Sequence, residues 1–590
     1  MKMRCDKTAD NACFALRVHF PNWEEDTYVL LPACAYNANR FVQVMREYPP
    51  MYTADECGTK TEPRITNVPA LEPDGSGAIE VTAGDMAVPC FGAFFPKAQE
   101  AIFIFTEQIC KDKNIGFHVE SGNVELQYPA MRTTCYRMCR TDEPSKDSGF
   151  AVTAGEEIVS QLLIQTFPCK DIPELFALFF AHRRDLLSDA PAANGYTQEL
   201  WNTMEAHMNA DNWSGAYFAE MNKKWQCGWV GGGMSSLPLL IHGSQQSRER
   251  ALQTIDFMTA HVSPSGFFYS LIEHGQIKDD GFGHEHMQHA TLIRKNGDAL
   301  YFLFKHFDVI SPKQTWVLAA KNCADAFVKL YNRYGTFGQF VNVVTGEMLF
   351  SGTASGASAI GALVRAWQFF GEESYLDVAQ SAGRQYYRDF IAKGCTYGGP
   401  GEALCAPDSE SCYAMVESLV LLYEATKDKT WLDYACDSIH LLSSWIMTYT
   451  YRFPENCEFG RLKINTVGSV FANVQNKHSA PGLCTASGDA IYKLYKYTGE
   501  KPYLELLRDI VMFIPQCVST EDRPIYSHDD PPQRLKPGYI CERVNTSDWE
   551  GAEAVGAVFN CSCWCETSLL LSFAELMWQK DIAKELIGEL

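Results

Sequence analysis

The sequence predicts a multidomain α+β protein in which an N-terminal antiparallel β-sandwich is followed by a ring of six helical hairpins. Two observations lead to this prediction. The hydrophobic pattern changes from a strand period to a helix period near residue 170, and the helical part then repeats one hairpin unit. A chain of 590 residues is also too long for one ordinary core, so several domains or one large ring are expected.

Residues 1–170 are predicted to form the β-sandwich domain. Their apolar runs are short or alternating, and Gly, Pro, Asn and Asp interrupt them, which is typical of antiparallel strands joined by turns. The runs that carry this pattern are "YVLLPACAYN", "AIEVTAGDMAVPCFGAFF", "EAIFIFTEQ", "IGFHVESGNVELQYPA" and "EEIVSQLLIQTF".

Residues 171–225 are predicted to be linker helices, and residues 226–590 the ring itself. Four repeat units share a helix, a charged turn and an aromatic anchor that opens a second helix; the anchors are Trp316, Tyr375, Trp431 and Tyr503. One further hairpin before these units and one after them bring the number to six. An open solenoid is the alternative, but such arrays need polar end caps, which the sequence does not display.

Composition excludes several classes of function. The net charge is −22, which opposes binding to nucleic acid, because neutralisation of phosphates by Lys and Arg dominates that interaction. No apolar run reaches the length of about 18 residues expected of a membrane span, so no membrane partner is expected. With no run typical of a signal peptide, the chain as written is expected to be cytoplasmic, or periplasmic if a leader was removed.

Unusual polar residues collect in the loops that lead into the first helices of the hairpins. In a closed ring all of these inner helices begin at the same end, so the loops are expected to meet around one cavity. The segments concerned are "DDGFGHEHMQHATLIRKNGDAL", "TYGGPGEALCAPDSES", "NVQNKHSAPGLCTASGDA", "ERVNTSDWEG" and "NCSCWCE".

Three acids in the second of these loops are candidate catalytic residues: Asp408, Glu410 and Glu402. Glycosidic cleavage needs a carboxylic acid that protonates the leaving oxygen and a carboxylate that activates water or acts as nucleophile. The structural alternative is that Asp408 caps the following helix and Glu410 sits in its first turn, where the macrodipole favours a negative charge. Glu402 lies in the Gly-rich part of the loop and has no such structural explanation.

The same loops supply candidate substrate-binding residues. Polar and basic side chains suit sugar hydroxyls and one negative charge, and Trp faces stack on sugar rings. The alternatives are an intrahelical pair between Arg294 and Asp298, a solvated loop, and buried Trp residues with capping acids. The candidates are His286, His289, Arg294, Asp298, Asn476, Lys477, His478, Arg543, Asp548, Trp549, Glu550, Trp564 and Glu566.

No metal and no cofactor are expected. The "HEH" run lacks the HExxH spacing of a zinc site, and Cys541, Cys561, Cys563 and Cys565 do not follow a common zinc spacing either. The 22 cysteines are scattered through the chain, so reduced and mostly buried thiols are the simplest interpretation.

Four motifs carry a resemblance to a known family: "GGPGEALCAPDSES", "QNKHSAPGLCTASGDA", "ERVNTSDWEG" and "SCWCETSLLL". Behind an N-terminal β-sandwich, they resemble the six-hairpin glycosidases and, more narrowly, glycoside hydrolase family 154. The resemblance implies an (α/α)6 toroid and an exo-acting β-glucuronidase. It supplies no established catalytic pair, so the three acids rest on their position alone.

A uronate-containing oligosaccharide is the substrate that this resemblance implies. Arg294, Lys477, His478 or Arg543 would then bind the carboxylate of the sugar. Two enzymatic alternatives remain for this chain on the same scaffold. One is a polysaccharide lyase with a His or Tyr base, and the other is a Cys-dependent glycosidase that uses the cysteine cluster with zinc. A toroid that binds carbohydrate without turnover is the non-enzymatic alternative.

Overall fold

The structure is a computed structural model that describes residues 1–220, 223–230, 232–560 and 564–588. The predicted mixture of helix and strand is confirmed. The last strand of the two large sheets along the chain is Leu162–Pro168, and the helix Ile172–His182 (α1) begins directly after it. Asp171 caps that helix by accepting a hydrogen bond from the Glu174 N–H at 2.9 Å.

Two antiparallel sheets form the N-terminal part. In the five-stranded sheet, Ile104 lies opposite Phe91 on one neighbouring strand and Ile164 on the other. The five-stranded order is Leu162–Pro168, Glu100–Thr106, Cys90–Phe95, Tyr28–Leu31 and Ala35–Tyr36. The four-stranded order is Phe14–His19, Asn123–Tyr128, Gly116–Glu120 and Ala78–Thr82.

The strands Tyr28–Leu31, Cys90–Phe95 and Glu100–Thr106 of the five-stranded sheet are buried on both faces, whereas its edge strand Leu162–Pro168 has only partly buried and exposed residues. Ile104 and Phe91 share a core with Leu126 of the other sheet, whereas Phe103 contacts Phe179 of α1 with ring centroids 6.0 Å apart. This double burial explains the continuous apolar runs of its strands, because neither face has to be polar. The four-stranded sheet instead alternates, and its outer face carries exposed pairs such as Arg17 with Glu125 at 2.9 Å.

Short strands complete the sheet structure. In the N-terminal part they are Lys2–Arg4, Ala9–Ala12, Val42–Gln43, Arg64–Ile65, Ile109–Cys110, Lys113–Asn114, Thr134–Cys135, Glu143–Pro144, Phe150–Val152 and Glu157–Val159. Among the helices they are Trp225–Gln226, Leu271–Glu273, Gln276–Lys278, Ala290–Leu292, Phe340–Asn342, Met348–Phe350, Val470–Phe471 and Ser479–Ala480.

The remaining helices follow in chain order. Before the hairpins lies Gln198–His207 (α2). The hairpin helices are Gly233–His242 (α3), Gln245–Ala260 (α4), Ile293–Val309 (α5), Gln314–Tyr334 (α6), Ala357–Phe370 (α7), Glu373–Asp389 (α8), Ser409–Thr426 (α9) and Lys429–Ser443 (α10). After the short helix Glu458–Leu462 (α11) come Asp489–Thr498 (α12), Lys501–Phe513 (α13), Trp564–Ser572 (α14) and Lys580–Ile587 (α15). No helix within these described ranges is long and apolar enough to cross a membrane.

The hairpin helices form two layers around a common axis. The inner helices α3, α5, α7, α9 and α12 pack in sequence, and α14 packs back against α3. Ser568 of α14 donates to the Ala486 carbonyl just before α12, at 2.8 Å. Inner helices approach closely at small residues: a Cβ on Gly297 of α5 would lie 2.8 Å from the Ala359 nitrogen of α7.

The four aromatic anchors occupy equivalent positions in the ring. Each is the third residue of an outer helix, α6, α8, α10 or α13, and each side chain is buried. The anchors join neighbouring outer helices: Trp316 donates to Asp256 of α4 at 2.9 Å, Tyr375 donates to Asp325 of α6 at 2.6 Å, and the Tyr503 hydroxyl lies 3.0 Å from His440 of α10. A large aromatic residue with a polar tip suits this position. The four anchors are Trp316, Tyr375, Trp431 and Tyr503.

The β-sandwich and the ring are joined by a buried ionic contact. Arg132 donates to Asp147 at 2.8 Å and to Asp548 at 2.8 Å, and Arg137 donates to the Asp548 carbonyl at 2.6 Å. The loop that leads into α14 is therefore held by the N-terminal domain. A bidentate guanidinium between two carboxylates fixes both position and orientation.

Candidate active site

A cavity of about 1060 Å³ opens at the end of the ring where the inner helices begin. The loops before all six inner helices contribute to its wall, and the N-terminal domain adds Tyr48 and Pro49. The contributing segments lie within residues 224–229, 269–295, 343–344, 400–410, 470–484 and 542–565. Loops that are hundreds of residues apart in the chain thus meet at one site.

Glu402 reaches the cavity from the Gly-rich loop before α9. Its backbone carbonyl accepts a hydrogen bond from the Gln475 amide at 3.0 Å, which ties this loop to the one before α12. Burial raises the pKa of the Glu402 carboxyl, and the nearby Glu542 raises it further, while Lys295 acts in the opposite direction. A carboxyl in this environment keeps its proton at a higher pH than an ordinary glutamate.

Glu410 lines the cavity from the first turn of α9 and forms an ion pair with Arg294 of α5. The Arg294 guanidinium also contacts Asp298 at 3.3 Å and lies over the Trp229 ring at 4.9 Å. Arg294 is buried, so its positive charge depends on these partners. The contact favours the charged carboxylate of Glu410.

Two tryptophans form an aromatic corner in the cavity. The rings of Trp229 and Trp564 are perpendicular, with centroids 5.0 Å apart. The Trp229 indole donates to Asp298 at 2.9 Å, and the Trp564 indole donates to Glu542 at 2.9 Å. Both indole N–H groups are thus fixed. Trp229 is only 6% exposed and has the Arg294 guanidinium over its ring, so the half-buried Trp564 is the ring that can meet an apolar sugar face.

Three cations at the cavity wall have carboxylate partners. Lys295 contacts Asp280 at 2.6 Å, and Arg543 contacts Glu550 at 2.6 Å. Arg294 is the third of these cations, and its partner is Glu410. The charges of these three side chains are therefore balanced locally. Lys278, which also lines the cavity, donates to the Gln276 side chain at 3.3 Å.

His478 also lines the cavity, but it is not a cation. Burial and the neighbouring Arg543 lower the pKa of its imidazole to about 3. The predicted role of His478 as a charged partner of a uronate is not compatible with this environment. The neutral ring can still accept or donate a hydrogen bond.

The structure separates the predicted residues into two groups. The cavity is lined by Glu402, Glu410, His289, Asn476, His478, Arg543 and Trp564. The residues that do not line it are Asp408, His286, Arg294, Asp298, Lys477, Asp548, Trp549, Glu550 and Glu566.

Most residues of the second group have structural partners elsewhere. Lys477 is fully buried and donates to the Ala33 carbonyl at 2.7 Å, so it is not available to a uronate. Trp549 is buried against Tyr136, and its loop neighbour Asp548 binds Arg132. His286 donates to the Tyr52 carbonyl at 2.7 Å.

Three more members of the group act behind the cavity wall. Asp298 and Glu550 are partners of Arg294 and Arg543, and Glu566 is fully buried on α14. Cys561 and Cys563 lie outside the described residues. Within the described ranges, no group of three or more His, Cys, Asp or Glu side chains could hold a metal ion.

Asp408 is the N-cap of α9. It is fully buried, and its carboxylate accepts from the Ser411 N–H at 2.5 Å and from the Gly399 N–H at 2.9 Å. Burial raises the pKa of Asp408, and the hydrogen bonds from Gly399 and Ser411 oppose that shift. The capping alternative therefore describes Asp408, while Glu410 in the same turn faces the cavity.

Replacing Asp408 by Ala is expected to destabilise the protein by about 2 kcal/mol, at the upper end of cap losses, because two backbone N–H groups lose their acceptor. Chemical denaturation would measure this loss. Asp408→Ser, which keeps a capping oxygen, should lose less. A rate that falls a thousandfold in a fully folded Asp408→Ser protein would contradict the assignment as a cap.

Sequence reasoning missed several cavity residues. Tyr48 comes from the strand-rich N-terminal part of the chain, and no local pattern connects it with the helical part. Trp229 and Lys295 were also missed, although Lys295 follows Arg294 directly in the sequence. Asn473 begins the polar segment "NVQNKHSAPGLCTASGDA", but it was not among the candidate residues.

Comparisons with known proteins give no family. No family model matches the chain, and no curated protein matches it. The narrower resemblance to glycoside hydrolase family 154 therefore stays a prediction.

Solved structures with similar chains are carbohydrate-active enzymes. A family 76 glycoside hydrolase from a bovine Bacteroides thetaiotaomicron strain is 13% identical over 81% of this chain and 95% of its own, with a TM-score of 0.40. The unsaturated glucuronyl hydrolase of Bacillus sp. GL1 is 12% identical over 65% and 95%, with a TM-score of 0.40. The polysaccharide lyase BACCELL_00875 is 10% identical over 96% and 86%, with a TM-score of 0.42. Similarity this low carries no argument about substrate or reaction.

Proposed function

We propose that the protein is a glycoside hydrolase that removes a terminal sugar with Glu402 and Glu410. The observation that carries this proposal is the contrast between the two carboxyl groups in one cavity. Burial raises the pKa of Glu402, whereas Glu410 forms an ion pair with Arg294. Two carboxyl groups whose environments favour opposite protonation states suit an acid and a base.

The roles follow from these states. Protonated Glu402 donates its proton to the glycosidic oxygen as the bond to the anomeric carbon breaks. Ionised Glu410 either deprotonates the attacking water or attacks the anomeric carbon itself, and the two routes differ in the configuration of the released sugar. The half-buried Trp564 ring supports the sugar ring in either case, and Trp229 packs against Trp564 edge to face.

A β-linked glucuronic acid is the finer proposal for the substrate. Arg543 is the candidate partner of its carboxylate, because it lines the cavity and its side chain is 24% accessible. The pairing of Arg294, Lys295 and Arg543 with carboxylates favours a second candidate, a neutral sugar. A uronate would have to compete with Glu550 for Arg543.

The lyase alternative has less support in the cavity. A lyase needs a His or Tyr base that removes the proton beside the uronate carboxylate. Burial and the nearby Glu402 raise the pKa of Tyr48, and the pKa of His478 is lowered to about 3. The pKa of neither of these two groups lies near neutral pH.

A panel of aryl β-glycosides tests the proposal. Hydrolysis of the glucuronide together with inactivity towards the glucoside supports the uronate, and the reverse supports the neutral sugar. A uronate-containing polysaccharide, in which the oxygen at C4 carries the leaving chain, tests the lyase: unsaturated products, detected by their ultraviolet absorbance, would establish it instead. Binding of sugars without any turnover would contradict the enzymatic proposal.

A further inference from the structure

Asn473 carries an amide NH2 group that is buried beside the cavity without a protein partner. The residue is 1% exposed, lines the cavity, and its Nδ2 makes no hydrogen bond to any residue in the described part of the chain. A buried polar group left without a partner costs about 1–3 kcal/mol. Such a group at a site wall is suited to a ligand.

The orientation of this amide is fixed by its other end. Its Oδ1 accepts from the Gln475 N–H at 3.0 Å and from the Asn476 N–H at 2.9 Å. Only an oxygen can accept from both, so the assignment of the amide oxygen and nitrogen follows from the network. The two N–H donors of Nδ2 point away from the turn.

His478 supplies a matching acceptor on the same hairpin. Phe471 pairs with Ser479 across this hairpin, and the Ala472 N–H donates to the His478 carbonyl at 3.4 Å. His478 therefore lies opposite Ala472, the residue directly before Asn473. The His478 Nδ1 lies 3.3 Å from the Ser479 carbonyl, which can only accept, so Nδ1 carries the proton. In this neutral ring Nε2 is an acceptor.

We propose that Asn473 and His478 together bind one hydroxyl group of the sugar that Glu402 and Glu410 cleave. A hydroxyl accepts one hydrogen bond and donates another, and this pair offers a donor and an acceptor. A carboxylate has no hydrogen to donate, so its oxygen would be repelled by the Nε2 lone pair of His478. The inference rests on the proposed function, and it identifies the loop before α12 as a determinant of hydroxyl recognition.

Monodeoxy and monofluoro derivatives of the best aryl glycoside test this inference. For the wild-type protein, removal of one particular hydroxyl should lower kcat/KM by about 10- to 100-fold, because a buried donor and acceptor then stay unpaired. Fluorine can accept from Asn473 but cannot donate to His478, so the fluoro derivative at that position should lose less affinity than the deoxy derivative. Calorimetry measures this difference, because fluorine also slows the cleavage step itself by withdrawing electrons.

Two Asn473 variants complete the design. Asn473→Ala should lower kcat/KM for the parent glycoside, and the deoxy derivative should then lose less than it does with the wild-type protein, because only the contact with His478 remains. Asn473→Asp keeps an oxygen that accepts from Gln475 and Asn476 but removes the donors, so fluorine should lose its advantage. Gln288→Ala, in the same cavity, should leave the effect of every deoxy derivative unchanged.

The inference would be wrong if, at every position of the sugar, removal of the hydroxyl lowered kcat/KM by the same factor in Asn473→Ala as in the wild-type protein. An unchanged kcat/KM for the parent glycoside would overturn it as well. If the wild-type protein hydrolyses no glycoside, the proposed function fails, and calorimetry of the same deoxy sugars with wild-type and Asn473→Ala protein still decides the role of Asn473.

Discussion

Replacing Glu402 by Gln is expected to lower kcat/KM for glycosides with poor leaving groups by about 10²- to 10⁴-fold. The amide cannot give up a proton, so the leaving oxygen departs as an anion. Aryl glycosides with strongly acidic phenols need no proton donor and should be affected far less. Steady-state rates across such a series of phenols measure the difference.

The pH dependence gives a second readout for Glu402. Its raised pKa means that the proton is present at low pH and is lost as the pH rises through that value. The wild-type rate should therefore fall on the alkaline side, and Glu402→Gln should lack this decline.

A matched control for Glu402 lies in the same cavity. Glu273 lines the cavity from the Leu271–Glu273 strand and contacts Lys224 at 3.7 Å. Glu273→Gln should keep the full rate and the alkaline decline. An equal loss of rate in the two variants would reject Glu402 as the acid.

Replacing Glu410 by Gln is expected to lower the rate by about 10²- to 10⁴-fold for every leaving group, because no carboxylate then activates water or attacks the anomeric carbon. Acidic phenols should not restore this rate, which distinguishes Glu410 from Glu402. Added azide should restore part of it by acting as an external nucleophile. Rates with and without azide, and the configuration of the azide product, are the measurements.

The loss of charge at position 410 should also lower stability, because Arg294 is buried and loses one of its two carboxylate partners. Asp298→Asn is the control, since Asp298 contacts the same guanidinium from outside the cavity. It should lower stability while changing the rate much less. A Glu410→Gln protein that keeps its rate within tenfold would exclude Glu410 from the chemistry.

The fold could be predicted from the sequence further than the site could. The change of hydrophobic period near residue 170 is a local property, and so is the anchor that recurs at the third residue of each outer helix. Closure of the ring then implied that the loops before the inner helices meet. The cavity lies at that end of the ring.

The roles of individual acids needed the tertiary structure. Asp408 and Glu410 are two residues apart, yet one is a fully buried cap and the other faces the cavity. A helix turns by about 100° per residue, so neighbouring side chains of the first turn point in different directions. Which direction leads to the cavity depends on how α9 packs in the ring.

Lys477 and His478 show the same limit. Both stand in a polar loop before an inner helix. Lys477, however, donates a hydrogen bond to the Ala33 carbonyl in the N-terminal part of the chain, and His478 is neutral in the cavity wall. The partner of Lys477 lies more than 400 residues away in the chain. No local pattern contains that information.

The sequence by itself determined the order of a strand-rich part and a helical part, the repeat of the hairpins and the end of the ring at which polar loops collect. These properties follow from periodicity and turn residues, which act over a few positions of the chain. Tertiary structure decided that Glu402 and Glu410 face one cavity, that Arg294 supports Glu410, and that Asn473 has a free donor there. Burial, charge pairing and hydrogen bonding at these positions depend on residues from distant segments, so only the folded chain defines them.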